Sequence, residues 1–427
     1  MRKQQEILLI SLGHPDLVPG GSQVVCQELF EAFRKRDDIG CHLLAGVDRE
    51  AGDQHRPGAG ITGFDGMDGV YLAHQTDYDS WLHRNTDPAM AQAFVSLLEA
   101  IQPDVVHFHH FQTVGIELIS VVRKTLPSCR IVLTFHEFAA ICAADGHMVR
   151  RTDRSLCARS SPVRCHQCLP ERAAEDFVIR KLWFEHYFRL VDHFTCPSHF
   201  MIEHYVNWGI PRDKITHVTN GQRSRVIRPE HHSRGTTHSR FGFFGQLHDD
   251  KGVHVILRAA SLLRGEGFTS FHIDINGGGI KHASPAIRAE IEAFQRAELE
   301  LRPAERLVTF NGTYPLDQIQ SRMTRVDWSI VPSVWWEIFG LVISEAWMFG
   351  RPVICSNIGG MAERVTHERD GLHFEMGDPV SLAATIKRAC QEDGLWDRLH
   401  EALPPPPDQD AMADGFLALY SAKVGEA

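Results

Sequence analysis

Short apolar runs separated by longer stretches of helical periodicity organise the chain from its start. Segments 7–12, 41–45, 70–73, 105–108, 131–135 and 193–196 are rich in Ile, Leu, Val and Phe and read as strands. Between them, 24–33, 89–101, 115–125 and 177–191 carry helical spacing; in the first, Val24, Val25, Leu29, Phe30 and Phe33 share one face. Strands that are apolar throughout need cover on both sides, which a parallel sheet between helices supplies. The pattern falters at Asn220-Gly221 and Arg234-Gly235-Thr236-Thr237, then restarts. Strands are expected at 241–245, 271–275, 307–310, 328–331, 353–355 and 372–374, and helices at 253–263, 285–301, 341–349 and 380–390. Four prolines at 404–407 stop any helix, after which 409–421 reads as one last helix.

Alternating β and α predicts an α/β fold of two Rossmann-like, doubly wound domains. The expected domains are 1–221, carrying a Cys-rich insertion at 139–172, and 222–403, followed by a linker and C-terminal helix at 404–427 that can pack back on the first domain. In such sheets ligands bind beyond the carboxyl ends of the strands, here in an interdomain cleft.

Composition narrows the function classes. Hydrophobic residues make up 43% of the 427 residues and charged residues 23%, an ordinary globular balance. No apolar run reaches the roughly 18 residues of a membrane span, and the apolar stretch after Met1-Arg2-Lys3 is too short for a signal peptide, so a cytoplasmic protein is expected. A net charge of −10 argues against nucleic acid as a partner. Ten cysteines in such a chain suggest thiols or a metal site rather than a disulfide framework. Cys142, Cys157, Cys165 and Cys168 all fall in the insertion, and the two-residue gap of Cys165-His166-Gln167-Cys168 suits two thiolates on one ion. They are read either as a structural zinc site, with His147 and His166 as alternative ligands, or as four free thiols.

The densest chemistry lies at Pro332-Ser333-Val334-Trp335-Trp336-Glu337-Ile338-Phe339-Gly340-Leu341-Val342-Ile343-Ser344-Glu345-Ala346, directly after an expected strand. Backbone N–H groups at the start of the following helix can bind a phosphate. Glu345, just over a turn into that helix, can accept hydrogen bonds from a ribose diol, and Glu337 can meet a sugar hydroxyl. This window resembles the E-x7-E signature of family 4 of the retaining glycosyltransferases, which have the GT-B fold. Pro19-Gly20-Gly21-Ser22, Phe244-Gly245-Gln246-Leu247, Asp250-Lys251-Gly252, Asn276-Gly277-Gly278-Gly279, Arg351-Pro352 and Gly359-Gly360-Met361-Ala362-Glu363 are similar to that family in the same order.

The resemblance implies transfer of a sugar from a nucleotide-diphosphate sugar to an acceptor hydroxyl, with retention, in polysaccharide or glycoconjugate synthesis. It implies donor contacts from Gly20, Gly21, Gln246, Lys251, Phe339, Gly340, Leu341 and Glu345, and catalytic roles for His136, Glu337 and Lys251, with Lys251 neutralising the departing diphosphate. The family places an arginine near Gln246, so this chain departs from the pattern there, and Arg240 is one candidate to compensate. His109 and His110, at the end of a neighbouring strand, are acceptor-side candidates. No catalytic metal is expected, since these histidines lack a full ligand set. The acceptor would be a saccharide or lipid-linked saccharide; the apolar and basic stretch 177–188 is read either as a surface for transient membrane contact or, as its helical spacing favours, as core. Competing readings are a nucleotide-sugar epimerase or sugar-phosphate synthase of the same fold, and a catalytically silent scaffold subunit. A nicotinamide dehydrogenase is disfavoured, because Gly13-His14-Pro15-Asp16 lacks G-x-G-x-x-G.

Overall fold

In the computed structural model of the protein, residues 5–223 and 238–421 are described; the expected break at Arg234-Gly235-Thr236-Thr237 and the first residues, Met1-Arg2-Lys3, lie outside them. The chain divides into two units, one of Met1–Arg223 with Pro407–Ala427 and one of Ser224–Pro406.

The first unit contains β1 (Gln5–Ser11), α1 (Gly21–Arg34), β2 (Ile39–Val47), β3 (Ile61–Phe64), β4 (Met67–His74), the hairpin β5 (Tyr78–Asp79) and β6 (Arg84–Asn85), α2 (Pro88–Ile101), β7 (Val105–Phe108), α3 (Leu118–Thr125), β8 (Arg130–Thr134), α4 (Pro162–Cys168), α5 (Ala174–Phe188), β9 (His193–Cys196), α6 (His199–Trp208) and β10 (Ile215–His217). Eight strands form one sheet in the order β10-β9-β8-β7-β1-β2-β4-β3. Only its edge strand β3 runs antiparallel to its neighbour. Ile7, Leu8, Leu9 and Ile10 of β1 have no exposed surface, which is why that run could be apolar without alternation. The register pairs Ile10 with Phe108 and Phe108 with Leu133. The loops after β1, β7 and β8 therefore leave the sheet at one level.

The second unit contains β11 (Arg240–Phe244), α7 (Val253–Gly265), β12 (His272–Asn276), α8 (Pro285–Glu300), β13 (Val308–Phe310), α9 (Ile319–Met323), β14 (Trp328–Val331), α10 (Leu341–Met348), β15 (Val353–Ser356), α11 (Gly359–Arg364), β16 (Gly371–Phe374), α12 (Pro379–Gln391) and α13 (Leu395–Glu401). Its six strands are all parallel, in the order β13-β12-β11-β14-β15-β16. Strand order reverses between β11 and β14, and loops splay apart there to leave a crevice.

After the prolines at 404–407 the chain returns to the first unit as α14 (Gln409–Ser421), which packs on α1. Met412, Phe416 and Tyr420 of this helix are buried, each worth about 1.5–3 kcal/mol of transfer free energy. The Tyr420 hydroxyl lies 2.6 Å from Nδ1 of the buried His107 on β7. No helix among the described residues is long and apolar enough to cross a membrane.

Candidate functional site

In the second unit the chemistry gathers at the β11/β14 reversal. Lys251 follows β11 and Glu337 follows β14, 86 positions apart, yet Nζ of Lys251 lies 2.6 Å from Oε2 of Glu337. Gly252 makes this approach feasible: it adopts φ +72°, and a Cβ there would lie 1.9 Å from the carbonyl oxygen of Pro332. The Val334 N–H donates to the carbonyl of Asp250 at 2.8 Å and ties the same loops together. Behind the Glu337 loop, Gly360 has no room for a Cβ either, which would sit 2.0 Å from the Ile338 carbonyl oxygen, and its N–H donates to the Glu337 carbonyl at 2.8 Å. Backbone contacts on both sides thus fix where the glutamate points.

Oε2 of Glu337 also accepts from the Ser333 hydroxyl and the Trp335 indole N–H, each at 3.2 Å. Burial pushes this carboxyl up, but the Lys251 charge and the three hydrogen bonds outweigh it, and the group ends below its usual range. Glu337 is therefore a bound anion at neutral pH. The Lys251 ammonium also sits 5.2 Å from the centroid of the Trp335 ring.

Next to the pair is the start of α10, whose first N–H groups have no partner within the helix. Arg364 of α11 holds that corner. It donates to the carbonyls of Phe339 and Gly340 at 3.2 and 3.0 Å and to the Ser344 hydroxyl at 2.8 Å, and its guanidinium lies 3.7 Å from the Phe339 ring centroid. Burial lowers its pKa to about 9. The Ile343 N–H also returns to the Gly340 carbonyl at 3.0 Å. Leu341 opens the helix and is half-buried, whereas Phe339 is buried under the arginine, so it can serve a donor only through its backbone. Glu345 lies half-buried in α10 close to Tyr314, whose phenol is pushed up first by burial and then by the Glu345 charge.

Gln246 is exposed after β11. Arg240 does not stand in for the family arginine near it. It begins β11, six residues earlier, and its guanidinium is committed to Asp274 at 3.0 Å and to the Arg325 carbonyl at 2.8 Å. At about 3.3 Å per strand residue, that places it roughly 13 Å from the strand end at Phe244.

In the first unit, order also reverses beside β1, between β7 and β2. Gly20 caps α1 and Gly21 is its exposed first residue. A Cβ at Gly20 would meet the Gln23 amide. His109 and His110 follow β7 and His136 follows β8. His109 Nδ1 lies 3.0 Å from His136 Nε2, and the two rings stack at 5.3 Å. His110 Nδ1 faces the Glu137 carboxylate at 3.2 Å and the Gln112 amide oxygen at 3.1 Å, so that nitrogen carries the proton. Burial, then neighbouring histidines, hold His109 and His136 well below the ordinary imidazole range, and both are neutral at pH 7. The buried Nε2 atoms of His109 and His110 have no hydrogen-bond partner among the described residues.

Cys142, Cys157, Cys165 and Cys168 of the insertion form no disulfide, and three of them pack against one small apolar cluster of Ala144, Leu169 and Phe177. Cys142 donates to the Ala144 carbonyl and Cys157 to the Arg159 carbonyl, while Cys168 accepts from the Arg151 N–H. Burial pushes the Cys142 thiol up to about 11. His166 turns to the Arg172 carbonyl at 2.7 Å. As placed, no group of three or more such side chains among the described residues is arranged to hold a metal ion.

Two sheets, parallel but for the edge strand β3, with a lysine–glutamate pair at the reversal of one and a histidine cluster at the reversal of the other, belong to one class, the GT-B glycosyltransferase fold. Residues 19–222 match the family described as Glycosyltransferase Family 4, and residues 238–392 match the one described as Glycosyl transferases group 1. The chain belongs to the family 4 glycosyltransferases. A lipopolysaccharide core biosynthesis glycosyltransferase of Rhizobium meliloti is 35% identical over 94 residues, covering 21% of this chain and 27% of that protein. A 2-deoxystreptamine glucosyltransferase of Streptomyces kanamyceticus is 31% identical over 151 residues, 35% of this chain and 36% of that one. The matches thus span about a third of these relatives' own length. Among solved structures, Anabaena HepE in complex with UDP and glucose aligns over 98% of this chain and 100% of its own, with a TM-score of 0.64 at 16% identity. Sucrose-phosphate synthase of Thermosynechococcus elongatus aligns over 98% of both chains, with a TM-score of 0.68 at 17% identity.

Proposed function

We propose that this protein transfers a sugar from a nucleotide-diphosphate sugar to an acceptor hydroxyl, with retention at the anomeric carbon. The Lys251–Glu337 pair beside the start of α10 carries the reading. Leaving-group departure puts negative charge on the diphosphate, and a preorganised cation with helix N–H groups stabilises that charge most where it develops. Glu337 already spends one oxygen on Lys251, Ser333 and Trp335. The other can take a sugar hydroxyl, a positioning role rather than that of a nucleophile. Glu345 binds the ribose diol. His136, neutral and oriented by His109, offers its second ring nitrogen to a sugar hydroxyl, and the unpartnered Nε2 atoms of His109 and His110 suit a hydroxyl of the acceptor.

The Anabaena protein's complexes with UDP and with UDP-glucose support a uridine donor, and the Rhizobium relative supports a saccharide acceptor of a surface glycoconjugate. The test is a thermal-shift screen of nucleoside diphosphates followed by donor hydrolysis. UDP at a hundred times its dissociation constant should add about 2.7 kcal/mol of stability, and Glu337→Ala should abolish hydrolysis of the sugar donor. A chain that binds UDP but hydrolyses none of a panel of UDP-sugars, with or without saccharide acceptors, would be the silent scaffold instead.

A further inference from the structure

Seven large aliphatic side chains stand exposed among the described residues, and four of them lie on α4 and α5: Val163 (63%), Val178 (45%), Ile179 (60%) and Leu182 (56%). Helix α5 has two apolar faces. Phe177, Phe184, Tyr187 and Phe188 are buried against the first unit, which is the share a globular helix normally buries. Val178, Ile179 and Leu182 form a second stripe, at a spacing of one and then three residues, turned outward. A helix face meant only for water carries polar side chains there, and clustered exposed aliphatics mark an interaction surface.

Beside this stripe lies a cavity of about 500 Å³. Met148, Phe177 and Trp208 give it an apolar lining, Val178 connects it to the exposed stripe, and Arg159 and Lys181 bring positive charge to it. Pro162 of α4 lines it as well, so the α4 and α5 surfaces adjoin.

The local charge is opposite to that of the whole. Residues 150–189 hold nine Lys and Arg against five Asp and Glu, while the chain carries −10 overall. Arg180 is turned inward to the carbonyls of Trp81, Ala139 and Ala140. Arg159 and Arg164 are exposed. Lys181 is exposed too, 3.6 Å from Glu185 and 5.4 Å from the centroid of the Trp208 ring. Exposed apolar side chains with Arg159 and Lys181 beside them, on a protein otherwise acidic, match a bilayer with anionic headgroups: acyl chains take the first and lipid phosphates the second, while the exposed Glu175 at the start of α5 stays on the water side.

We propose that the outer face of α5, with Val163 of α4 and the adjoining cavity, docks on a membrane surface containing anionic phospholipid. Ile179 and Leu182 enter the boundary between headgroups and acyl chains, and Arg159, Arg164 and Lys181 meet the phosphates. This goes beyond the donor reaction and needs no donor, so the two fail separately: Glu337→Ala, inactive in hydrolysis, should still bind vesicles.

The experiment is co-sedimentation of the full chain with vesicles of equal phosphatidylglycerol and phosphatidylcholine, and with vesicles of phosphatidylcholine alone. The wild type should favour the anionic vesicles at least tenfold and lose that preference in 0.5 M salt. Lys181→Gln should weaken binding about fivefold, the share of one cation near an anionic surface. Ile179→Asp with Leu182→Asp should abolish it while leaving UDP binding unchanged; both side chains are exposed, so the unit keeps its core. Equal binding to both vesicle types, or wild-type binding by the double variant, overturns the proposal. Binding to neither vesicle also overturns it.

Discussion

Gly252 is the most informative single position, because two effects of known size meet there. Gly252→Ala places a side chain at φ +72°, and its Cβ at 1.9 Å from the Pro332 carbonyl oxygen. Backbone strain of a non-glycine residue in that region costs about 1 kcal/mol or somewhat more. Relieving the contact to an ordinary separation near 3.5 Å requires the two loops to part by roughly 1.5 Å, and overpacking of that kind costs about 1–3 kcal/mol. Gly267→Ala supplies the control. It has nearly the same φ, +76°, with nothing within 4 Å of the added carbon, so it should show the strain alone. Urea unfolding of the second unit should therefore report a loss of about 2–4 kcal/mol for Gly252→Ala against about 1 kcal/mol for Gly267→Ala. In a unit of this size that corresponds to roughly 5–15 °C against 2–4 °C in Tm. Parting the loops also pulls Lys251 from its 2.6 Å contact with Glu337. UDP affinity, read by calorimetry, should fall at least tenfold in the first variant and stay unchanged in the second. Equal stability losses, or full UDP affinity in Gly252→Ala, would refute the idea that this glycine exists to bring the two loops together.

Three further outcomes are expected. Lys251→Met leaves Glu337 buried with only neutral donors, so its carboxyl rises from its lowered value; the variant should lose about 2–4 kcal/mol at pH 7. The gap from wild type should narrow as pH falls below the ordinary carboxyl range and the wild-type carboxylate protonates, seen in denaturant titrations at several pH values. Arg364→Met should cost about 3 kcal/mol by losing hydrogen bonds to the Phe339 and Gly340 carbonyls. Arg364→Lys should not restore UDP affinity, because an ammonium cannot reproduce the planar fork. Acid should unfold the first unit steeply: His107, His109 and His136 are held neutral, the unfolded chain protonates them near pH 6.5, and stability should fall by about 4 kcal/mol per pH unit well below that value. Circular dichroism of His107→Gln should show a shallower slope.

The sheets were legible where strands are buried on both faces. Strand β1 and the central strands of the second unit announce themselves as unbroken apolar runs, because nothing on either side of them faces water. The short edge strands β3 and β10 are partly exposed and carry no such run. Helix α6 was legible in principle: Ser198 caps it, accepting from the Met201 N–H, and Met201, Ile202, Tyr205 and Trp208 share its buried face. Helix α4 buries no residue at all, so periodicity had nothing to detect. At the site, the types and order of Lys251, Glu337 and Glu345 could be read from their windows. What holds them could not. Ser333 and Trp335 bind Glu337 side chain to side chain, Tyr314 arrives beside Glu345 from the β13–α9 loop, and Arg364 reaches back across 24 positions. Such contacts follow from the three-dimensional packing of loops, which spacing along the chain does not encode.

The return of α14 to the first unit has a consequence in time. His107 and the Tyr420 hydroxyl that caps it are 313 positions apart, and at about 5–20 residues per second of synthesis the partner arrives roughly 15–60 s later. Throughout that interval the second unit is made and can close, while the first waits with the surface that Phe416 and Tyr420 will cover still open. Of the two units, the one whose sheet is made first is thus completed second, and a nascent chain stalled before residue 409 should be the species that chaperones hold.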